Sequence, residues 1–448
     1  MPNTILLNPI LEENLALVCK LVETQLGKAP GKLEEYRVYS YIDGEGVNHK
    51  YALTHPLIQF TADPLIAAEL AHQRIIDVFE PTVEGAGSYG SLYPVVRSIL
   101  FTDDLPSFDT KSYVIKKIKI DSAAIADKPS KPPAGIRAIR REQYIGSHFL
   151  GSNYQTLEGA DEAFLHMERA PGKPLHYYWN KLNAEEFLSL TCALLEQIPQ
   201  QLQRIITHGK HAGKQIVHCD ITANNILAYF NEGKWTVKLV DFGLAKAKKL
   251  DERYISKRAR GTTFHYDQRM FSADLHREPL IFTRETDIYA LYNVILELAG
   301  YYYRLEKRGL PALLLRDLER PSLDNLFNGM DFPLVMKSQL RELMCGMMDA
   351  DRSRRISHDA ALTGFQLALT GIDKSTFLAT PVAEGTELPI TISSLKQLIE
   401  QPLKEDPKAL STWISTFRTV YLGLSTTEQS EWKSSARSLA FNSPYTYS

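Results

Sequence analysis

Cysteine is scarce in this chain. The four present among 448 residues, Cys19, Cys192, Cys219 and Cys345, stand far apart and form no CxxC pair. That excludes a cysteine-based zinc framework and fits free thiols in a reducing compartment. Long apolar runs are missing too, since none reaches the roughly 18 residues that a membrane-crossing helix needs. The first residues, MPNTILLNPILEENLALV, carry no basic stretch and meet Glu12 and Glu13 early, so no cleavable signal peptide is expected. Neither sign of charge is in excess. With 51 Lys+Arg against 53 Asp+Glu and a formal net charge of -2, general binding to nucleic acid or a membrane surface is not expected. Internal repeats and low-complexity tracts are lacking. What remains is a soluble, cytoplasmic-type protein of two or three domains whose partners must be sought in local sites.

Periodicity organises the chain into segments. Residues 1–79 mix a helical pattern from Leu11 to Leu26, a strand-like stretch from Tyr36 to Ile42 and a second expected helix from Pro64 to Val78. From Phe79 to Met167, β-branched and aromatic runs alternate with Gly-, Pro- and Asp-rich turns, so strands are expected, interrupted by a helix from Gly135 to His148. Two polar, Pro-containing loops, 101–111 and 126–133, fall there. From Asn183 to Thr370 the pattern is mostly helical, with a strand pair over 226–240. Two or three amphipathic helical segments are expected after residue 374.

Chemistry concentrates in a few places. Glu84-Gly85-Ala86-Gly87-Ser88-Tyr89-Gly90-Ser91-Leu92 is a GxGxxG run between strand-like sequences. Glycines let backbone amides approach phosphate oxygens, and the absence of a helix straight after the run speaks against a dinucleotide-binding βαβ unit. Tyr113-Val114-Ile115-Lys116-Lys117-Ile118 is a strand whose lysine can neutralise phosphates if an acid positions it. Lys117 and Lys119 compete; Lys116 is preferred because it follows Val114-Ile115 in the manner of a V-A-I-K segment. The next helix offers one carboxylate, Glu142. Further on, an apolar strand ends in Met167-Glu168-Arg169-Ala170-Pro171, a connector whose backbone at Glu168 and Ala170 suits adenine, with Met167 behind the pocket.

The strongest signal is His218-Cys219-Asp220-Ile221-Thr222-Ala223-Asn224-Asn225, followed by Lys238-Leu239-Val240-Asp241-Phe242-Gly243. An aspartate can orient and accept the proton of an attacking hydroxyl, and an asparagine five residues later suits Mg²⁺. A second aspartate at a strand end can hold the metal that meets the phosphates. Gly261-Thr262-Thr263, the helix opened by Glu285-Thr286-Asp287, and Arg355 near the end of the helical region complete the set.

Together these segments resemble the eukaryotic-type protein kinase family over residues 80–370. The resemblance implies an α+β, two-lobed fold with a small antiparallel-sheet lobe over 80–168 and a larger helical lobe over 169–370. Extensions over 1–79, packing on the small lobe, and 371–448, helical, flank it. It implies MgATP as donor and a protein hydroxyl, Ser/Thr rather than Tyr, as acceptor. Gly85, Gly87, Gly90 and Leu92 then form the phosphate lid, and Lys116 and Glu142 an ion pair. Asp220 becomes the base, Asn225 and Asp241 the metal ligands, Val114 and Leu227 the adenine sandwich, and Phe242 with His218 part of an internal apolar spine.

Departures from the family pattern carry information. Cys219 stands where an arginine normally meets a phosphorylated loop, and a thiol cannot pair with phosphate as guanidinium does. Activity independent of loop phosphorylation is therefore expected. Thr222 leaves acceptor choice less defined. The A-P-E signature is missing, its acid position falling on Arg269, which makes Glu278 an alternative partner for Arg355. A basic run from Lys246 to Arg260 is either a solvated loop or an attraction for acidic partners. Flanks of this kind point to a homodimer or to substrate recruitment. The divergent core is similar to eukaryotic-like effector kinases of intracellular bacteria, which implies delivery into a host cell and a host protein as substrate. The alternatives are an ATP-binding pseudokinase scaffold and a small-molecule kinase of the aminoglycoside or choline type.

Overall fold

The computed structural model describes residues 4–61, 74–87, 90–102, 105–120, 134–147, 154–159, 161–205, 213–249, 254–256, 265, 270, 273–274, 276–300, 326–327, 329–349 and 352–372. The chain divides into two compact units: Met1–Ala170 with Gln203–Cys219 and Asp241–Tyr254, and Pro171–Leu202 with Asp220–Val240 and Ile255–Ser448. Its fold class is α+β.

In the first unit, β1 (Thr4–Leu7), β4 (Asn48–Leu53) and β3 (Val38–Ile42) form a three-stranded sheet in that order. A larger, nine-stranded sheet is strung along one long strand, β8 (Gly90–Thr102). The start of β8 pairs with β7 (Gly85–Gly87) and with β10 (Tyr113–Lys119), which continues through β12 (Glu162–Glu168) to β11 (Gln155–Glu158). Its end pairs with β9 (Leu105–Phe108) and with β6 (Arg74–Phe79), which continues through β5 (Leu57–Thr61) to β2 (Gly31–Leu33). Among the described residues two helices cover this unit, α1 (Leu15–Leu26) and α2 (Ala134–Ile145). A separate ladder joins β14 (Gln215–Val217) to β17 (Lys246–Lys248).

Alternation explains how the layers stack. On β6, Ile76 and Val78 face the cluster built on Val18, Leu21 and Val22 of α1. Ile75 and Phe79 face the opposite way, into a cluster with Ile58, Phe60, Ile115 and Phe164. Strands β5 and β6 thus lie on the face of β10 and β12 opposite α2, which packs on Ile118 and Leu165 through Ile136 and Ile139.

This arrangement corrects the helix expected over Pro64–Val78. Its described part, Arg74–Val78, lies in β6, and every residue of β6 is buried. A strand covered on both faces shows no polar alternation, so its apolar run is not distinguishable by period from a buried helix. The helix expected from Leu11 opens instead as a 3₁₀ turn over Glu12–Asn14 and becomes α-helical at Leu15. The loop 126–133, the Gly261–Thr263 site, Arg269 and the helices expected after residue 374 lie outside the described residues.

The second unit holds α3 (Ala184–Gln203), α4 (Arg284–Leu298), α5 (Leu334–Met347) and α6 (His358–Ile372), with a small sheet of β13 (Lys173–Pro174), β15 (Ile226–Asn231) and β16 (Lys234–Leu239). Asn183 and Glu186 exchange side-chain-to-backbone bonds of 2.9 and 3.0 Å, a reciprocal cap that starts α3. One turn apart on α3, Gln197 and Gln201 each accept from and donate to the edge of β16, at Trp235 and Val237 and at Val237 and Leu239. The edge strand's polar groups are therefore satisfied by the helix. Among the described residues no helix is long and apolar enough to cross a membrane.

Between the strand layers of the first unit lies a polar exception. Asp77 accepts from Ser98 Oγ at 2.6 Å and from His166 Nδ1 at 2.6 Å, with Asp77 and His166 at 0% exposure. Replacing one member of such a buried cluster strands the others without an acceptor. Asp77→Ala is expected to lower the unfolding free energy of the intact chain by about 3–5 kcal/mol, read from urea denaturation; a loss under about 1 kcal/mol contradicts this account.

Candidate active site

Lys116 sits near the middle of β10, opposite Leu92 of β8 and Leu165 of β12. The period of two decides between the competing lysines. Lys116 points to the α2 side with Ile118. Lys117 points the other way, lying over the Phe164 ring and bonding Glu162 at 2.5 Å, while Lys119 is exposed. On α2, Glu142 follows Ile139 by three residues and shares its inward face. It is 2% exposed.

Lys116 Nζ donates to Glu142 Oε2 at 2.8 Å and to Asp241 Oδ1 at 2.9 Å. Burial opposes the lysine's charge, but Glu142 and Asp241 outweigh it and hold the ammonium above the ordinary lysine range. Burial likewise works against Asp241, yet Lys116 and the Gly243 amide hold its carboxyl below the ordinary aspartate range. Glu142 is pushed up to about 7, by burial first and by the Asp241 charge, against the pull of Lys116. Two carboxylates share one ammonium, and of the two Glu142 is the one whose hold on a proton burial strengthens.

Asp241 has φ 62 and ψ 74, the left-handed region, and caps a single 3₁₀ turn over Phe242–Leu244 by accepting from Gly243 N–H at 3.2 Å. A Cβ on Gly243 would lie 3.1 Å from Asp241 Oδ1 and 3.7 Å from Glu142 Oε2, so the site is closed around that glycine. Arg141 of α2 donates to the Gly243 carbonyl, a tie between α2 and the turn that the sequence did not announce. Phe242 is buried edge-on to His218, ring centres 5.2 Å apart. Cys219, buried, also takes the left-handed region with φ 65.

In the second unit, Asn225 Nδ2 donates to the Asp220 carbonyl at 2.9 Å and to Asp220 Oδ2 at 3.2 Å. Val240 N–H donates to the Asn225 carbonyl at 2.9 Å, closing the base of the β15–β16 hairpin. With its amide nitrogen committed to Asp220, Asn225 has its amide oxygen to offer a hard cation. Asp241 Oδ2 takes no part in the bonds to Lys116 and Gly243. Oxygen donors of this kind fit Mg²⁺. Asp287 is buried in the first turn of α4. Arg355 donates twice to the Asp349 carbonyl, at 3.1 and 3.0 Å, and stacks on Tyr289, whereas Glu278 is exposed.

The remaining expected positions are distributed as follows. Gly85 and Gly87 lie in β7, and Gly90 opens β8 with φ +145. A Cβ there would meet the Lys117 carbonyl at 2.4 Å, so Gly90 is required by the approach of β8 to β10, whatever else it does. Leu92 pairs with Gly85, and Val114 is buried in β10 beside Met167 of β12. Met167 packs half-buried on the α2 cluster. Glu168 ends β12, Arg169 N–H bonds the Ser112 carbonyl at 2.8 Å, and Ala170 closes the first unit. Leu227, in the second unit, lies on β15 opposite Lys238.

The protein kinase domain family matches residues 85–364, more than half of the sequence, and this chain belongs to that family. Over 146 residues it is 27% identical to a leaf rust 10 disease-resistance locus receptor-like protein kinase-like protein of Arabidopsis thaliana, covering 33% of this chain and 19% of that protein. It is 31% identical over 153 residues to the human tyrosine-protein kinase ZAP-70, covering 33% of this chain and 23% of that protein. The match thus spans about a fifth of the length of each relative.

A consequence for stability follows from Glu142. Its folded pKa, about 7, lies above its ordinary value of 4.5. The folded state therefore binds the proton more tightly, and stability falls as pH rises from about 4.5 through about 7. Glu142→Gln, which keeps the neutral form, is expected to compare more favourably with the unaltered chain above this window than below it. Urea midpoints on either side check the sign.

Proposed function

We propose that this chain transfers the γ-phosphate of MgATP to a protein hydroxyl, serine or threonine rather than tyrosine. The observation that carries this reading is the buried Lys116 held by Glu142 and Asp241, in a chain whose Asp220 is tied to Asn225. Lys116 neutralises the α- and β-phosphates, Glu142 keeps it extended from β10, and Asp220 orients the acceptor hydroxyl and takes its proton. Asp241 and Asn225 are each expected to hold Mg²⁺, which when bound offsets charge on the phosphates. Gly85, Gly87, Gly90 and Leu92 serve as the phosphate lid, and Val114, Met167, Glu168, Ala170 and Leu227 as the nucleotide's contacts. Residues 1–79 and 371–448 are extensions to a catalytic region over 80–370 and suit a homodimer contact or recruitment of a substrate, including a host protein if the chain is delivered into a host cell.

Each chemical group the transfer needs is present, which weighs against a scaffold without catalysis. The intact Asp241-Phe242-Gly243 turn weighs against a kinase of small alcohols or amines. Transfer of labelled γ-phosphate from ATP to a generic protein is expected to fall on the order of 100-fold or more in Asp220→Ala and in Lys116→Ala. ATP binding without transfer in the unaltered chain would favour the scaffold, and labelling of small alcohols alone would favour the other alternative. Phosphoamino-acid analysis of the product decides between serine/threonine and tyrosine.

Cys219 supports the further reading that activity does not wait on loop phosphorylation. Its buried thiol offers phosphate no guanidinium fork. Phosphatase treatment is expected to leave turnover within about twofold, since no phosphate-assisted pair of the usual 1.5–3 kcal/mol is there to lose; a tenfold drop sinks this reading.

A further inference from the structure

His265 is 5% exposed, and both of its ring nitrogens are engaged. Nδ1 lies 2.6 Å from the carbonyl oxygen of Ile221, the residue after Asp220, and Nε2 lies 2.8 Å from Glu297 Oε1 in the last turn of α4. The Glu297 side chain is 12% exposed. A carbonyl oxygen only accepts, and so does an ionised carboxylate. Two bonds from one imidazole to two acceptors therefore need one proton more than a neutral ring beside an ionised carboxylate carries. Whether the extra proton sits on the ring or on Glu297, the count is the same. When it leaves, one of the two contacts has no hydrogen in it.

We propose that His265 is a proton-dependent positioning residue that clamps the catalytic-loop backbone at Ile221 to α4 through Glu297 and thereby fixes Asp220. The proposal rests on the reading of Asp220 as base. Among the described residues, these charged or titratable groups lie on α4 and on the catalytic loop, two elements that His265 touches. On α4 they are Glu297 itself and, toward the other end, Arg284, Glu285, Asp287, Tyr289 and Tyr292. On the loop they are His218, Cys219 and Asp220, the last bonded to the Asn225 amide.

The test is kcat against pH for the full chain, with ATP and a generic protein acceptor. The unaltered protein is expected to lose kcat on the alkaline side while its KM for ATP holds. In Glu297→Gln the side-chain amide can donate to a bare ring nitrogen, so both links survive with a neutral ring and the alkaline fall is displaced or lost. His265→Phe is expected to lower kcat on the order of 10-fold to 100-fold, as small misplacements of a catalytic group do, with little change in KM for ATP. Histidine ring ¹⁵N spectra at neutral pH are expected to show two protonated ring nitrogens that vanish in His265→Phe, or a single one if Glu297 holds the proton, in which case Glu297→Gln changes its shift. An alkaline fall identical in Glu297→Gln and the unaltered chain, or a His265→Phe kcat equal to it, overturns the proposal. An Asp220→Ala protein that still transfers phosphate sinks the reading of the base instead, while an inactive Asp220→Ala with normal His265→Phe sinks only the clamp.

Discussion

A buried ammonium cannot stand alone, and Lys116 makes the first unit's architecture answer to that constraint. Removing a charge from water costs several kcal/mol even after relaxation, so a buried lysine stays charged only where anions surround it. Here it has two, at 2.8 and 2.9 Å, from separate stretches of chain. Strand β10, helix α2 and the turn after β16 must therefore be placed together or the lysine is left uncompensated. The close fit at Gly243, the left-handed Asp241 and the bond from Arg141 to the Gly243 carbonyl all follow from bringing that turn up to α2.

The opposite face of the same sheet is fixed by a second buried polar cluster. Strand β12 sends Leu165 and Met167 toward α2 and His166 the other way, to Asp77 of β6. Since β10 is hydrogen-bonded between β8 and β12, and β8 carries Ser98, the Asp77 cluster ties together the strands that flank the lysine's own strand. Apolar packing alone would let the two layers slide, because it has no direction. Hydrogen bonds at 2.6 Å to one carboxylate set the register between them.

How far the sequence could be read varies with the kind of signal. The expected site residues Lys116, Glu142, Asp220, Asn225 and Asp241 stand out in the sequence because their identities and spacing are constrained together, and the structure brings Lys116 to Glu142 and Asp241, and Asp220 to Asn225. Period two separates Lys116 from Lys117 once β10 is accepted as a strand. Strand β6 was misread as helix because both of its faces are buried and its alternation is erased. Arg141 and His265 were illegible for another reason. Each bonds a backbone carbonyl, and a carbonyl has no residue type to betray it. Gly90 was read for phosphate alone, although the Lys117 carbonyl at 2.4 Å from its absent Cβ demands glycine already.

Cys219 and Asp241 show how the backbone on either side of the β15–β16 hairpin is held. Both take left-handed backbone, which costs a non-glycine residue roughly 1–2 kcal/mol. Such strain persists only where surroundings over-determine it. For Asp241 those surroundings are the lysine and the Gly243 amide. For Cys219 they are a buried site with the thiol 3.6 Å from the Val217 carbonyl, on a strand paired to β17. An arginine at that position would have to carry its charge either into the interior or out to a partner. The thiol needs neither, so the bend before Asp220 is set by backbone and packing.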